Sequence, residues 1–181
     1  MKIFKILALT ALFLFPAYNV TNADASPPPE VPHAAAPTKP KMFNFVKKLN
    51  PGLSDQDATY ISKVLQEKAT EYGLDLVTFT AVIAQESSFQ LNLQVCHGAP
   101  GNCDRGLGQI SSYWVKVWNL DPNRLRYDVT YNLDASARIL SAVYKENPTE
   151  KKAYSRYYNP LPSFRQTYEK LVDHWILVAS R

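Results

Sequence analysis

The chain has 181 residues, which suits one domain once its unfolded ends are set aside, and it carries a formal net charge of +4. This mild positive charge would favour an anionic polymer as a partner but does not identify one. No dense group of lysines and arginines is interleaved with aromatic residues, which argues against nucleic acid as that partner.

The N-terminus has the three parts of a secretory signal peptide. Lys2 and Lys5 precede an apolar run over residues 6–15, and Ala23-Asp24-Ala25 follows as a small-residue cleavage site. The run is shorter than the ~20 residues that span a bilayer, although an uncleaved anchor is the alternative. We therefore predict a signal peptide over residues 1–25, an exported protein in the periplasm or secreted, and no stable membrane span after cleavage.

A proline-rich segment follows and separates the signal peptide from the rest of the chain. Residues 26–41 contain six prolines, which preclude a regular helix and favour extended polyproline conformations. This composition predicts a disordered linker over 26–41 and a single folded domain over 42–181.

The first half of the domain has the pattern of three helices. A short helix around Phe43 is stopped by Asn50-Pro51-Gly52, and an amphipathic helix then begins at Ser54 and ends at Gly73. Asp75 is the predicted cap of a third, strongly apolar helix that ends near Glu86. Residues 90–105 follow as a loop or small β-hairpin.

The second half is predicted to be helical as well. The expected elements are a short helix capped by Ser111 or Ser112, a turn at Asp121-Pro122-Asn123, a helix from Asp128 or Thr130 to about Lys145, a short helix from Thr149 to Tyr157-Tyr158, and a last helix capped by Ser163 with the apolar face Phe164, Tyr168, Leu171, Val172 and Trp175. The fold class is therefore mainly α.

Glu86 is the first candidate for chemistry because of its position. The C-terminal end of a helix carries partial negative charge, which disfavours a carboxylate, and the apolar neighbours of Glu86 act in the same direction. Both effects predict a raised pKa, and a carboxylic acid that stays protonated near neutral pH can serve as a general acid.

A glycine-rich turn after the loop is the second candidate. Gly106 and Gly108 allow the backbone to approach a ligand closely, and Gln109 offers both a donor and an acceptor for sugar hydroxyls. Between this turn and Glu86 lie the two cysteines of the chain, Cys96 and Cys103, which export predicts to be a disulfide. Four ligands at zinc spacing are absent from the sequence, so neither a metal nor a cofactor is predicted.

Together these motifs resemble the soluble-lytic-transglycosylase family of the lysozyme superfamily. The resemblance is carried by Glu86-Ser87-x-Phe89, by Gly106-Leu107-Gly108-Gln109-Ile110 and by Tyr158-Asn159, and it covers roughly residues 54–172. The Gly-Leu-Gly-Gln-Ile form and the proline-rich ending from Tyr157 to Pro162, followed by Arg165 and Tyr168, are most similar to members that accompany conjugation and type IV secretion.

The resemblance implies a lysozyme-like domain that cleaves the β-1,4 bond between N-acetylmuramic acid and N-acetylglucosamine in peptidoglycan. Glu86 would act first as acid and then as base on the 6-hydroxyl of the sugar, which leaves a 1,6-anhydro end. Substrate-binding roles would fall to a set of residues around it: Ser87, Gly108, Gln109, Tyr157, Tyr158 and Asn159. Pro160 stands where the family usually has Gly, so either Tyr157 or Tyr158 could hold the family's Tyr position. The implied partners are glycan strands and a secretion or conjugation apparatus.

Two alternatives remain open at the level of sequence. Asp104-x-Gly-x-x-Gln109-Ile110 also resembles the segment of animal-type lysozymes that carries a second carboxylate, and two carboxyl groups would allow retaining hydrolysis by Glu86 and Asp104. The other alternative is a non-catalytic, peptidoglycan-binding component of a secretion or phage-entry machine.

Overall fold

The structure, a computed structural model, describes residues 38–98, 100–158 and 162–181. The predicted signal peptide, most of the predicted linker and Asn159 lie outside these ranges, so the boundaries at residues 25 and 41 stay predictions. The side chains of Tyr158, Pro162 and Ser163 also lie outside what the structure describes.

The described residues form eight helices and one two-stranded antiparallel hairpin. The elements are α1 (Phe43–Leu49), α2 (Asp55–Tyr72), α3 (Leu76–Ser87), β1 (Gln94–Cys96), β2 (Cys103–Arg105), α4 (Ser112–Trp118), α5 (Pro122–Tyr127), α6 (Val129–Glu146), α7 (Ser155–Tyr158) and α8 (Pro162–Ala179). The predicted fold class is confirmed: the chain is mainly α, with a small hairpin between the helix that ends at Glu86 and the helices that follow.

Local hydrogen bonds fix three of the helix starts, as predicted. The side chains of Ser54, Asp75 and Asp128 each accept a bond from the backbone N–H three residues on. Such caps satisfy donors that have no partner within the helix, and each contributes about 1 kcal/mol. At the other end of α2, Gly73 adopts φ 66°, the left-handed conformation that closes a helix without strain on a side chain.

The core forms around α3. Every residue from Phe79 to Ala84 is at most 1% exposed. A helix that is buried on all sides needs neighbours on all sides, and α3 packs against both α2 and α8, while α2 packs in turn against α1 and α6. The C-terminal end of α3, with Glu86, is thereby held by the core and opens towards the hairpin.

Two predicted elements of the second half were wrong in their extent. Asp121-Pro122-Asn123 is the start of α5 rather than a turn, because the Asp121 carboxylate accepts bonds from the N–H groups of Asn123 and Arg124 and Pro122 suits a first helical position. The short helix predicted from Thr149 begins only at Ser155, after a series of turns.

The predicted apolar face of α8 was too wide. Phe164 is 51% exposed and Leu171 is 45% exposed. The contact of α8 with the core runs instead through Tyr168, Val172 and Trp175, which recur at the spacing of one helix face. The face that meets α3 is therefore narrower than the apolar pattern of the sequence.

Candidate active site

Glu86 lies in the last turn of α3, just before a strained stretch of backbone. Ser88 and Phe89 follow with φ 47° and 60°, in the left-handed region that costs a non-glycine residue about 1–2 kcal/mol. Full burial of the Phe89 ring and a 2.9 Å bond from Asn50 Nδ2 to its carbonyl oxygen offset that cost. The chain is thus turned sharply away after Glu86, which leaves the glutamate at the edge of a cleft.

The surroundings of Glu86 favour the protonated form. Its side chain is half-buried, and burial of the carboxyl group raises the pKa of Glu86 to about 8. A hydrogen bond from Tyr168 acts against this rise in pKa, whereas the negative charge of Asp104 adds to it. The burial of Glu86 agrees with the prediction of a raised pKa. At neutral pH the Glu86 side chain is protonated in most of the protein molecules.

Tyr168 of α8 is the direct partner of Glu86. Its hydroxyl lies 2.5 Å from Glu86 Oε1, and the ring is buried, with 4% of its surface exposed. Burial and the neighbouring Glu86 charge raise the pKa of the Tyr168 hydroxyl, so Tyr168 stays a donor at neutral pH. One residue earlier on α3, Gln85 Oε1 accepts a 3.0 Å bond from Trp175 Nε1. These two bonds orient the end of α3 against α8.

Sequence reasoning assigned the orienting role to Tyr157 or Tyr158 and missed Tyr168. The partners are 82 residues apart, so no local pattern joins them. One signal was available, because Tyr168 follows the proline-rich ending in the stretch that carried the family resemblance. It was interpreted only as part of the apolar face of α8.

The glycine-rich turn faces Glu86 and is held by a buried asparagine of α6. Asn132 Nδ2 donates to the carbonyl oxygens of Arg105 and Leu125 at 2.9 and 2.8 Å, and its Oδ1 accepts from the N–H of Gly108 at 2.8 Å. Gln109 Nε2 donates to Gly106 O at 2.8 Å, which leaves its Oε1 to accept bonds from a ligand in the cleft.

Tyr157 lines the cleft and supports the same turn. Its hydroxyl donates to Gly108 O at 2.8 Å, and only 8% of the residue is exposed. The backbone N–H and C=O of Gly108 are therefore both used inside the protein. The structure places Tyr157 at the cleft wall and not on the carboxyl group of Glu86.

Ser87 lies beneath the cleft rather than in its wall. It is 4% exposed, its hydroxyl donates to Ile83 O at 3.3 Å, and it accepts from the N–H of Phe89 at 3.2 Å. These contacts place it where it supports the turn after α3.

The hairpin brings the second candidate carboxylate to the same cleft. Cys96 and Cys103 form the predicted disulfide and pair across β1 and β2. Asp104 follows directly and lines the cleft with Glu86, while its Oδ2 lies 2.8 Å from His97 Nε2. His97 thus holds one oxygen of the Asp104 carboxylate.

The cleft has a volume of about 630 Å³, which falls within the range of pockets that hold small ligands. Apart from Glu86, Asp104, Gln109 and Tyr157, its lining consists of Ile110, Ser111, Tyr113, Trp114, Val143, Glu146, Asn147 and Arg156. Aromatic rings and polar groups in the same lining suit a sugar, which offers both apolar faces and hydroxyl groups.

A family model described as the transglycosylase SLT domain matches residues 63–173. The chain belongs to this family. The matched stretch runs from α2 to α8 and includes Glu86, the glycine-rich turn and Tyr168. No curated protein and no solved structure gives a significant match.

Membership of the SLT family establishes the general fold, substrate and activity of the domain. The domain is lysozyme-like, its substrate is peptidoglycan, and its general activity is that of a lytic transglycosylase. Within the described ranges, no group of three or more His, Cys, Asp or Glu side chains could hold a metal ion. Of the helices in that part of the chain, none has both the length and the apolarity that a membrane crossing requires.

Replacing Tyr168 with Phe should shift the pH dependence of this SLT domain. The ionised form of Glu86 loses a hydrogen-bond donor, so the pKa of Glu86 should rise above about 8, and the alkaline limb of kcat/KM should move to higher pH. Loss of orientation should also lower the maximal rate roughly 10- to 100-fold. Turnover of purified peptidoglycan, followed from about pH 5 to about pH 10, measures both effects. This range covers the titration of Glu86 on both sides of its pKa.

Tyr154 offers a matched control for this variant. It is also buried, at 3% exposure, and its hydroxyl donates to Asp173 Oδ1 at 2.5 Å, outside the cleft. Tyr154→Phe deletes the same kind of bond and should leave the pH profile in place. Equal profiles for the two variants would contradict the role of Tyr168.

Proposed function

We propose that this protein is a lytic transglycosylase that cleaves the bond between N-acetylmuramic acid and N-acetylglucosamine with Glu86 as its single acid and base. The observation that carries the proposal is the half-buried Glu86 carboxyl group, hydrogen-bonded to Tyr168 at the edge of a sugar-sized cleft. With its pKa near 8, Glu86 holds a proton that it can donate at neutral pH.

In the first step Glu86 donates its proton to the glycosidic oxygen. The bond between that oxygen and C1 of the muramic acid breaks, and the N-acetylglucosamine side leaves as an alcohol. The Tyr168 hydroxyl stabilises the resulting Glu86 carboxylate by donating to it. The N-acetyl group of the substrate can stabilise the positive charge that develops at C1 at this stage, so the step needs no protein nucleophile.

In the second step the Glu86 carboxylate removes the proton from the 6-hydroxyl of the same muramic acid. The 6-oxygen then bonds to C1, which closes the 1,6-anhydro ring and returns Glu86 to its protonated form. No water is consumed. A raised pKa helps both steps, because the carboxyl group keeps its proton before cleavage and the carboxylate takes one back readily afterwards.

A lysozyme-type hydrolysis by Glu86 and Asp104 is the second candidate, favoured by the presence of Asp104 in the same cleft. The contact with His97 weighs against it. One oxygen of the Asp104 carboxylate is already held by the imidazole, which limits its access to C1 of a substrate. We therefore assign Asp104 to shaping the charge around Glu86 and to binding substrate.

The masses of the products distinguish these mechanisms. Transglycosylation releases muropeptides that are lighter by one water than those of hydrolysis, and Asp104→Asn should lower the rate without changing that mass. Products with reducing ends and full mass would refute the single-carboxyl mechanism. A non-catalytic, peptidoglycan-binding component would release nothing, although it would bind the polymer.

We also propose that the protein acts outside the cytoplasm, in the periplasm or as a secreted protein, after cleavage following Ala25. The signal-peptide pattern supports this, and the Cys96–Cys103 disulfide suits an oxidising compartment. The exported protein should begin at Ser26, which N-terminal sequencing checks.

We also propose that the protein acts together with a conjugation or type IV secretion apparatus. The proposal is supported by the resemblance of the Gly-Leu-Gly-Gln-Ile turn and of the proline-rich ending to family members that accompany such systems. Cells that carry Glu86→Gln should then lose DNA transfer or secretion, and unchanged transfer would count against this partner.

A further inference from the structure

One wall of the cleft carries an arginine whose orientation is fixed by an acid that two arginines share. Arg156 Nε donates to Glu150 Oε2 at 2.6 Å, and Arg165 Nη1 donates to the other oxygen, Glu150 Oε1, at 3.1 Å. Both pairs are half-buried, since the side chains of Arg156, Glu150 and Arg165 are 34%, 29% and 16% exposed. Partial burial reduces screening by water, so these contacts orient the guanidinium of Arg156.

The group formed by Arg156, Glu150 and Arg165 has a residual positive charge and hydrogen-bond donors at the cleft. Two guanidinium groups against one carboxylate leave one positive charge, and Arg156 lines the same cleft as Glu86. Among the residues that the structure describes, the two Nη groups of Arg156 meet no acceptor, because its one bond uses Nε. A fixed guanidinium with two free NH₂ groups suits a carboxylate, which can accept two bonds from it.

The chemistry of the substrate narrows what that carboxylate is. In intact peptidoglycan the glycan backbone is uncharged, because the lactyl carboxyl group of each N-acetylmuramic acid is amide-bonded to its stem peptide. The remaining carboxylates belong to that peptide. Glu146 lines the cleft as well and forms no ion pair with any described residue. An acid and a base that line the same cleft complement a stem peptide, whose diamino residue adds an ammonium group to the carboxylates.

We propose that Arg156 binds a carboxylate of the stem peptide and makes the protein select peptide-bearing glycan over bare glycan. The proposal rests on the proposed function for its substrate, and it adds a specificity-determining residue to that site. Glu150 is a positioning residue in this scheme, because it acts on the substrate only through Arg156.

Arg156→Gln tests the proposal with a variant that should fold. Glu150 keeps its bond to Arg165, so no buried charge is left without a partner. The substrates are intact peptidoglycan and glycan strands whose stem peptides have been removed by an amidase and whose freed lactyl carboxyl groups have been capped as methylamides, so that the bare strands carry no carboxylate. We expect kcat/KM to fall roughly 10- to 100-fold on peptide-bearing glycan and to stay unchanged on bare strands, the usual effect of a lost charged hydrogen bond.

Two further variants sharpen this test. Arg156→Lys keeps the charge but not the paired donors, so it should restore part of the selectivity. Arg124→Gln removes another arginine that is paired with an acid, Asp128, but lies outside the cleft lining, and it should retain full selectivity. An equal loss on both substrates in Arg156→Gln would overturn the proposal, since a merely structural role predicts that result.

A binding measurement separates this proposal from the proposed reaction. In the Glu86→Gln background, an isolated disaccharide-peptide muropeptide should bind roughly 10- to 100-fold more weakly when Arg156 is also Gln. The matching disaccharide without peptide, with its lactyl carboxyl group capped as a methylamide, should bind equally well to both forms. Equally tight binding of the muropeptide by both forms, with turnover of peptidoglycan intact in the parent protein, would refute the role of Arg156 alone. Binding that depends on Arg156, without anhydro products, would refute the reaction alone.

Discussion

Glu86→Gln is expected to abolish peptidoglycan cleavage while the domain stays folded. Gln cannot supply or take back a proton, and loss of a general acid and base typically costs about 10²- to 10⁴-fold in rate. The Gln amide oxygen can still accept the bond from Tyr168 that Glu86 Oε1 accepts now, so the contact between α3 and α8 is kept. Release of soluble muropeptides from purified peptidoglycan measures the loss.

The same variant should change the pH dependence of stability. The pKa of Glu86 is about 8 in the folded protein, against an ordinary value of 4.5 for a glutamate, so between these pH values the folded state binds the extra proton. The free energy of unfolding of the wild type therefore falls as pH rises through this window. The Glu86→Gln variant has no carboxyl group at this position and does not lose stability in this way. The Tm of the variant relative to that of the wild type should therefore rise from about pH 4.5 to about pH 8 and then level off.

Glu67→Gln is a suitable control for both measurements. Glu67 is exposed on α2, where Lys63 is its only ion-pair partner among the described residues, and such a pair contributes a few tenths of a kcal/mol. This variant should keep wild-type activity and wild-type pH dependence. If Glu86→Gln were as active as Glu67→Gln, Glu86 would not be the acid.

Gly106→Ala is expected to be the most destabilising single change in the site. A Cβ atom there would lie 2.1 Å from the Leu125 carbonyl oxygen and 2.3 Å from Asn132 Nδ2, and the backbone adopts φ 71°. The backbone oxygen cannot move without breaking the bonds that Asn132 makes to the turn. We expect a loss of about 4 kcal/mol or more in the free energy of unfolding, measured by urea denaturation.

Gly73→Ala separates the clash from the backbone conformation. Gly73 has a similar φ of 66°, but no atom lies within 4 Å of the added Cβ. This control should cost about 1–2 kcal/mol, which is the strain of the left-handed conformation alone. Similar losses for the two variants would show that the turn can move away from Asn132.

Features that depend on a few neighbouring residues could be predicted from the sequence. The starts of α2, α3 and α6 follow from side chains that bond the backbone three residues on, and the end of α2 follows from a glycine that adopts positive φ without strain. The raised pKa of Glu86 was also anticipated, because the apolar run before it implied burial.

Features that depend on the packing of distant helices could not be predicted from the sequence. The start of α5 is a separate case, because it is a local feature whose signal was ambiguous: Asp121 caps the helix as Asp75 does, but the proline directly after it also suits a turn. In α8 the apolar residues Phe164 and Leu171 are exposed, because only the narrow face with Tyr168 reaches α3. The width of a contact depends on the neighbour, which periodicity does not describe.

The sequence by itself determined the mainly helical fold, the disulfide, the family resemblance and Glu86 as the candidate acid, since each rests on local pattern or on motif. Only the tertiary structure decided what surrounds that acid. Tyr168 meets Glu86 because α8 packs on α3, His97 meets Asp104 across the hairpin, and Arg156 enters the cleft through Glu150. The physical reason is that electrostatics and hydrogen bonding act through space, so the partners of a side chain depend on how the backbone folds. For Tyr168 and Glu86 that fold brings together residues 82 apart, and for the other two pairs it is a hairpin or a series of turns.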